Sequence, residues 1–184
     1  MTTTYANFCQ KSAREDVSAN DTAHFFSRHF AQPVAYVCYK AGLTPNAVTF
    51  LFLIVGIGSA VSLHLGLPIL CYVLWRLHII LDMADGSLAR AKERFSKSAM
   101  GFDRSNHIII NTTILMASLN HGGNLYVTNA LLIAFYLYYF FSRNYHTGKQ
   151  HTQQFSLVSV LVKNLAGLEG YILAQCLLIA LAAL

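Results

Sequence analysis

The sequence predicts an all-α protein, specifically a polytopic membrane helix bundle with an amphipathic interfacial helix near its N-terminus. Hydrophobic residues make up 55% of its 184 residues and charged residues only 11%, whereas soluble domains carry roughly 25% charged residues. No Asp, Glu, Lys or Arg occurs in the segments 41–75, 105–142 and 170–184. The first two segments have 35 and 38 residues, so each accommodates two spans of about 20 residues joined by a turn.

The same composition excludes several classes of protein. A disordered tail and a disulfide-stapled secreted module are excluded, and a soluble globular domain is disfavoured. The four cysteines, at positions 9, 38, 71 and 176, lack the spacing of a metal or redox site, and we interpret them as packing residues. The length favours a single domain over residues 1–184.

The distribution of the 13 Lys and Arg residues predicts the orientation of the bundle. All but Arg76 lie on one side of the predicted spans, which the positive-inside rule assigns to the cytoplasm. The turns near residues 64–68 and 120–124 carry no Lys or Arg and are predicted to be external. The net charge of +5 therefore indicates a surface facing lipid headgroups, and we expect no nucleic-acid partner.

The N-terminal part of the chain is predicted to lie at the membrane surface. Residues 1–22 are polar, and we expect no cleavable signal peptide there. Over 23–41, apolar residues recur every three or four positions with polar residues between them, which predicts an interfacial amphipathic helix. Thr44 can cap the next helix, and Pro45 suits its first turn.

Transmembrane helices are predicted for residues 46–184. Their apolar stretches are separated by turn residues or by charged loops. The predicted boundaries, in chain order, are span 1 at 46–65, span 2 from 68, a charged loop at 90–98, span 3 at 99–119, span 4 at 125–141, a cytoplasmic connection at 143–163 and a fifth apolar helix at 165–184.

Ionisable residues cluster at the inner ends of spans 2 and 3, where such residues are costly and usually functional. Asp82 and Asp85 share one face of span 2, and Asp103 and His107 share one face of span 3. Because the two spans are antiparallel neighbours, we expect these faces to meet. Three carboxylates repel one another unless a cation neutralises them, and oxygen ligands suit Mg²⁺ or Mn²⁺.

Two neighbouring residues fit a phosphate-bearing substrate. Gly86 lacks a side chain where a ligand would approach the backbone, and Arg90 offers a forked donor for phosphate oxygens. The alternative interpretation is a packing role, in which Arg76 or Arg90 forms intramembrane ion pairs with the aspartates. A calcium-binding loop fits poorly, because the later ligands of such a loop are missing.

The residues from Asp82 to Arg90 read Asp-Met-Ala-Asp-Gly-Ser-Leu-Ala-Arg and are followed by Asp103 and His107. This run resembles the signature of the CDP-alcohol phosphotransferase family, D-x-x-D-G-x-x-A-R, eight residues, then G-x-x-x-D-x-x-x-D. Residues 43–49 also resemble the segment that opens the family's first span. The resemblance covers nearly the whole chain. It implies metal-dependent transfer of a phosphoalcohol group, for example phosphatidyl, from a CDP-alcohol to an acceptor hydroxyl, with release of CMP, in phospholipid biosynthesis.

The resemblance further implies roles for individual residues. It implies Mg²⁺ or Mn²⁺ as the cofactor and His107 as the catalytic base. The implied metal ligands are Asp82, Asp85, Asp103 and His107. The implied substrate-binding positions are Asn46, Thr49, Gly86, Ala89, Arg90 and Ser96. The donor would be CDP-diacylglycerol or another CDP-alcohol, and the acceptor a small polar alcohol or a sugar phosphate.

This chain departs from the family's pattern at three points. The second signature glycine falls at Ala99, with Gly101 two residues later, and the fourth aspartate falls at His107. Five spans are visible where the family usually has six. A non-catalytic or decayed homologue that acts as a membrane scaffold is therefore the main alternative, and an ion channel or carrier is a further one. We also expect a homodimer in a prokaryotic cytoplasmic membrane, with the active site facing the cytoplasm.

Overall fold

A computed structural model describes residues 4–13, 25–94, 97–119 and 168–182, and also residues 127, 130 and 134. Within these residues the secondary structure is entirely helical, as the sequence predicts. The helices are α1 (Tyr5–Ser12), α2 (Phe25–Lys40), α3 (Pro45–His64), α4 (Pro68–Ala91), α5 (Lys97–Leu119) and α6 (Leu168–Ala182).

The predicted helix positions agree closely with the structure. The predicted interfacial helix at 23–41 is α2, spans 1, 2 and 3 are α3, α4 and α5, and the fifth apolar helix contains α6. Residues 127, 130 and 134, in predicted span 4, are helical. The rest of span 4, the 143–163 connection and Ser96 lie outside the described residues.

Helix α3 begins at the residues that the sequence indicates. The Oγ1 atom of Thr44 accepts a hydrogen bond from the backbone N–H of Ala47 at 3.2 Å, and Pro45 is the first helical residue. This cap satisfies one backbone donor that the first turn leaves without an intrahelical partner, and proline at that position loses no helical hydrogen bond.

Helices α2, α3 and α4 end in the same type of turn. In each, the backbone N–H two residues beyond the C-cap bonds to a carbonyl five residues earlier, as in Leu43 to Cys38, Leu67 to Ser62 and Arg94 to Ala89. These are Schellman motifs, which need one residue in the left-handed conformation. That residue is Gly42 (φ +75°), Gly66 (φ +69°) and Glu93 (φ +51°), respectively.

Helix α1 lies within the N-terminal segment that was predicted only to be polar. Phe8 is fully buried, and its ring lies 5.5 Å from that of Tyr36 and 5.4 Å from that of Tyr39. Ala35 and Ala84 complete this small apolar cluster. One buried aromatic side chain therefore anchors a short polar helix on α2 and α4, a contact that hydrophobic periodicity does not reveal.

The main core lies around α4, which packs against α1, α2, α3 and α6, while α3 also packs against α5. A Cβ atom placed on Gly56 would lie 2.5 to 2.8 Å from side-chain carbons of Ile110. Glycine at this position therefore lets α3 and α5 approach closely, which helps to determine where α5 lies relative to the rest of the bundle.

By length and composition, one helix of the described residues, α3, is long and apolar enough to cross a membrane. Helix α4 has 24 residues but carries Arg76, Asp82 and Asp85, and the apolar stretch Ile172–Leu181 of α6 is shorter than a full span. A core helix of a soluble protein meets the same criterion. The described residues confirm an all-α fold. Because one of their helices meets the length and composition criterion for a span, the polytopic arrangement stays a prediction.

Candidate metal centre

Helices α4 and α5 bring together three of the four predicted metal ligands. The Nε2 atom of His107 lies 3.1 Å from Oδ1 of Asp82 and 3.6 Å from Oδ1 of Asp103. One potential ligand atom from each of the three residues lies within 4.8 Å of the other two. We call Asp82, Asp103 and His107 the trio. The expectation that the charged faces of these two helices meet is confirmed for these three residues.

The trio is partly open to its surroundings. The side chains of Asp82, Asp103 and His107 are 29%, 37% and 27% exposed, so a substrate can reach them. The Oδ1 atom of Asp103 is itself buried and accepts no hydrogen bond in the structure. A buried carboxylate oxygen requires a positive or hydrogen-bonding partner, and a divalent cation held by the trio would supply one. The residues present therefore fit such an ion.

An aromatic wall supports His107 from inside the bundle. The His107 ring lies 5.5 Å from the Phe52 ring and 6.0 Å, edge on, from the His78 ring. Trp75 in turn lies 5.1 Å from His78. The three wall residues Phe52, Trp75 and His78 are buried. Their packing restricts rotation of the imidazole and keeps Nε2 directed at the carboxylates.

Sequence analysis missed the residues of this wall. His78 lies four residues before Asp82, on the same face of α4, and this spacing is a signal that would have identified it. No comparable signal in the sequence identifies Phe52, because its position beside His107 depends on how α3 packs against α5.

Asp85, the fourth predicted ligand, does not belong to the trio. Its Oδ2 atom lies 2.6 Å from the hydroxyl of Thr49, a residue predicted to bind substrate. The same hydroxyl lies 3.0 Å from the carbonyl oxygen of Pro45, and Thr49 is almost fully buried. The structure thus pairs two predicted site residues with each other, across α3 and α4.

Arg90, predicted to bind phosphate, makes contacts within the protein. Its Nε donates a hydrogen bond to the backbone carbonyl of Ser12 at 2.7 Å, and Nη2 donates to the hydroxyl of Ser87 at 3.1 Å. A Cβ atom on Gly86 would lie 3.5 Å from Nη1 of Arg90, which is an ordinary contact. The N-terminal helix therefore helps to hold the guanidinium at the end of α4.

The remaining predicted substrate-binding residues lie near the N-terminus of α3 and the C-terminus of α4. Asn46 is exposed and Ala89 is half-buried. A cavity of about 480 Å³ lies between the α2–α3 turn and the end of α4. Two cations line it, Lys92 and Arg94, together with Tyr39, Gly42, Thr44 and Ala91. Lys92 Nζ also donates to the backbone carbonyl of Leu43 at 2.6 Å.

Arg76, which the packing interpretation pairs with an aspartate, has a partner that sequence analysis did not predict. Its Nη2 donates a hydrogen bond to the hydroxyl of Ser27 at 3.0 Å. Ser27 is a buried residue of α2, so this contact joins α2 to α4.

Comparison of the chain with known proteins assigns no family or function to it. No protein-family description matches the chain, and no curated protein matches it significantly.

Proposed function

We propose that this protein is a multi-pass membrane enzyme that transfers a phosphoalcohol group from a CDP-alcohol to an acceptor hydroxyl and releases CMP. The observation that carries the proposal is the convergence of Asp82, Asp103 and His107 on one point. Asp82 precedes Asp103 by 21 positions and His107 by 25 positions in the sequence, yet all three occupy the signature positions from which the resemblance predicts a metal site.

The membrane location is supported by the apolar surface of the bundle. Large hydrophobic side chains are exposed along α3, α4 and α6, a feature that soluble monomers rarely show over so wide an area. Examples include Ile54, Val61, Ile69, Val73, Leu178 and Leu181. Lipid chains would cover such a surface, whereas water would not solvate it favourably.

The proposed reaction is a displacement at phosphorus. The acceptor's hydroxyl oxygen forms a bond to the phosphorus that carries the alcohol, the bond from that phosphorus to the bridging oxygen breaks, and the electron pair leaves with CMP. A divalent ion held by the trio would supply neutralisation of the negative charge on the pyrophosphate. The partial exposure of Asp82, Asp103 and His107 leaves room for the pyrophosphate beside them.

The acceptor's proton must pass to a base. His107 takes it if Nε2 carries no ion, and a neighbouring carboxylate takes it if Nε2 is a ligand, since one nitrogen cannot do both at once. The cationic cavity beside Lys92 and Arg94 is a candidate location for the nucleotide, whose phosphates would be attracted by both side chains.

Release of labelled CMP from CDP-diacylglycerol by the purified protein in detergent micelles tests the proposal. A panel of acceptors containing glycerol phosphate, inositol phosphate and serine would identify the substrate. We expect CMP release that requires a divalent metal and falls at least about 100-fold in the Asp82→Asn variant. Glu93→Gln is the matched control, because it removes an exposed acidic charge from the turn that follows the same helix.

The outcomes separate the proposal from its main alternative. CMP release with one acceptor, lost on chelation and restored by metal, supports the enzyme. A folded protein that binds metal but releases no CMP with any acceptor would instead favour the scaffold. Equal activity in Asp82→Asn and in the unmodified protein would remove the trio from the mechanism.

A further inference from the structure

Two carboxylates face the same nitrogen of His107. Nε2 lies within 3.6 Å of oxygens from both Asp82 and Asp103. An Nε2 atom with a bare lone pair would be repelled by carboxylate oxygens at these distances. Nε2 therefore carries either a hydrogen, which neutral imidazole and imidazolium can both donate to a carboxylate, or a metal ion that all three residues share.

The aromatic wall keeps this nitrogen, rather than Nδ1, directed at the carboxylates. Phe52 is fully buried and His78 is 3% exposed, and both rings pack against the His107 ring. A ligand held in place by its neighbours loses little conformational freedom when it binds a metal. The trio is therefore arranged in advance as two carboxylate oxygens and one imidazole nitrogen.

We infer that Nε2 of His107 is a metal ligand, and that the centre consequently selects a divalent transition metal, such as Mn²⁺, Co²⁺ or Zn²⁺, over Mg²⁺. Carboxylate and water oxygens suit Mg²⁺, whereas imidazole nitrogen raises the affinity for later first-row metals. The inference rests on the metal centre of the proposed function, but it does not require that the protein transfers a phosphoalcohol group.

Spectroscopy of the Mn²⁺-loaded protein tests the inference without any substrate. The full chain in detergent micelles is titrated with Mn²⁺, and binding is followed by loss of the electron paramagnetic resonance signal of the free ion. Pulsed measurements on the bound ion then report whether a ¹⁴N nucleus is coupled to it. We expect ¹⁴N coupling, and Mg²⁺ should displace Mn²⁺ only at a large excess.

The His107→Asp variant should still bind Mn²⁺ but lose the ¹⁴N coupling. Its preference for Mn²⁺ over Mg²⁺ should fall at least about tenfold, since every protein ligand would then be an oxygen. His107→Gln is a second variant in case the extra carboxylate prevents folding, and it should bind Mn²⁺ more weakly and without ¹⁴N coupling. Circular dichroism and gel filtration verify that each variant is folded.

Two further histidine variants serve as controls. His64→Asp changes the last residue of α3, far along that helix from Phe52. It should keep both the ¹⁴N coupling and the metal selectivity. His78→Gln should weaken Mn²⁺ binding and keep the coupling, because His78 belongs to the wall and not to the ligand set.

Four results would overturn the inference. They are absence of Mn²⁺ binding, bound Mn²⁺ without ¹⁴N coupling in the unmodified protein, coupling that survives in His107→Asp, and unchanged selectivity in that variant. If ¹⁴N coupling is present and no CMP is released with any acceptor, only the proposed reaction fails.

Discussion

The hydroxyl of Thr49 lies 2.6 Å from Oδ2 of Asp85, a residue 36 positions later in the chain. This hydrogen bond joins the first turns of α3 to the charged end of α4. Both residues were predicted to act at the site, Thr49 on the substrate and Asp85 on the metal. Their pairing shows that one part of the predicted site is also a structural contact between two helices.

Removing the hydroxyl of Thr49 should destabilise the protein. In Thr49→Val the shape of the side chain is kept, but a largely buried carboxylate loses its donor, which costs about 1–3 kcal/mol. Thermal unfolding in detergent measures the effect. Thr49→Ser keeps the hydroxyl and should lose less stability. Equal losses in the two variants would show that the methyl group, and not the hydrogen bond, stabilises this contact.

The aspartates should differ in their effect on metal affinity. Asp82→Asn and Asp103→Asn each remove a carboxylate from the trio, and we expect Mn²⁺ affinity to fall at least about tenfold. Asp85→Asn should reduce it by a smaller factor, since Asp85 is paired with Thr49. Calorimetric titration with Mn²⁺ measures the three affinities, and a larger loss in Asp85→Asn would place that residue among the ligands.

The close approach of α3 and α5 should make position 56 intolerant of a side chain. Gly56→Ala places a methyl group 2.5 to 2.8 Å from Ile110, and we expect a loss of about 1–3 kcal/mol of stability. Gly58→Ala is the matched control, because its Cβ would lie 3.5 Å from Leu74. Similar unfolding temperatures for the two variants would contradict the packing of α5 against Gly56.

The turn that ends α4 should become more stable with glycine. Glu93 adopts φ +51°, a conformation that costs a non-glycine residue roughly 1 kcal/mol. Glu93→Gly should therefore raise the unfolding temperature slightly. Gly42→Ala, at φ +75° with no atom near its Cβ, should lower it through backbone strain alone. If neither temperature changed, strain would not matter at these turns.

The predicted topology can be tested by labelling. In a variant without the native cysteines, a cysteine introduced at position 94 should be protected from an impermeant reagent added outside intact cells. A cysteine introduced at position 123 should react with it, because the cations segregate to the cytoplasmic side. The reverse pattern would invert the orientation.

The sequence by itself determined the helices and the set of charged residues available to them. Thr44 and Pro45 mark the start of α3, Gly66 marks a turn, and the hydrophobic segments give the lengths. Local capping, left-handed turns and apolar periodicity depend on residues a few positions apart, so the sequence alone is sufficient to predict them. Helix α1 is the exception, since it is anchored by a single buried phenylalanine, Phe8.

Only the tertiary structure decided which charged residues meet. Periodicity places Asp82 and Asp85 on one helical face, but it does not give the rotation of α4 relative to α3 and α5. The contact of Gly56 with Ile110 and the packing of Phe52 against His107 help to determine that rotation. Asp82 consequently joins Asp103 and His107, while Asp85 turns toward Thr49. The physical reason is that the geometry of one helix determines which of its own residues share a face. Close packing between helices determines which side chains of different helices face one another.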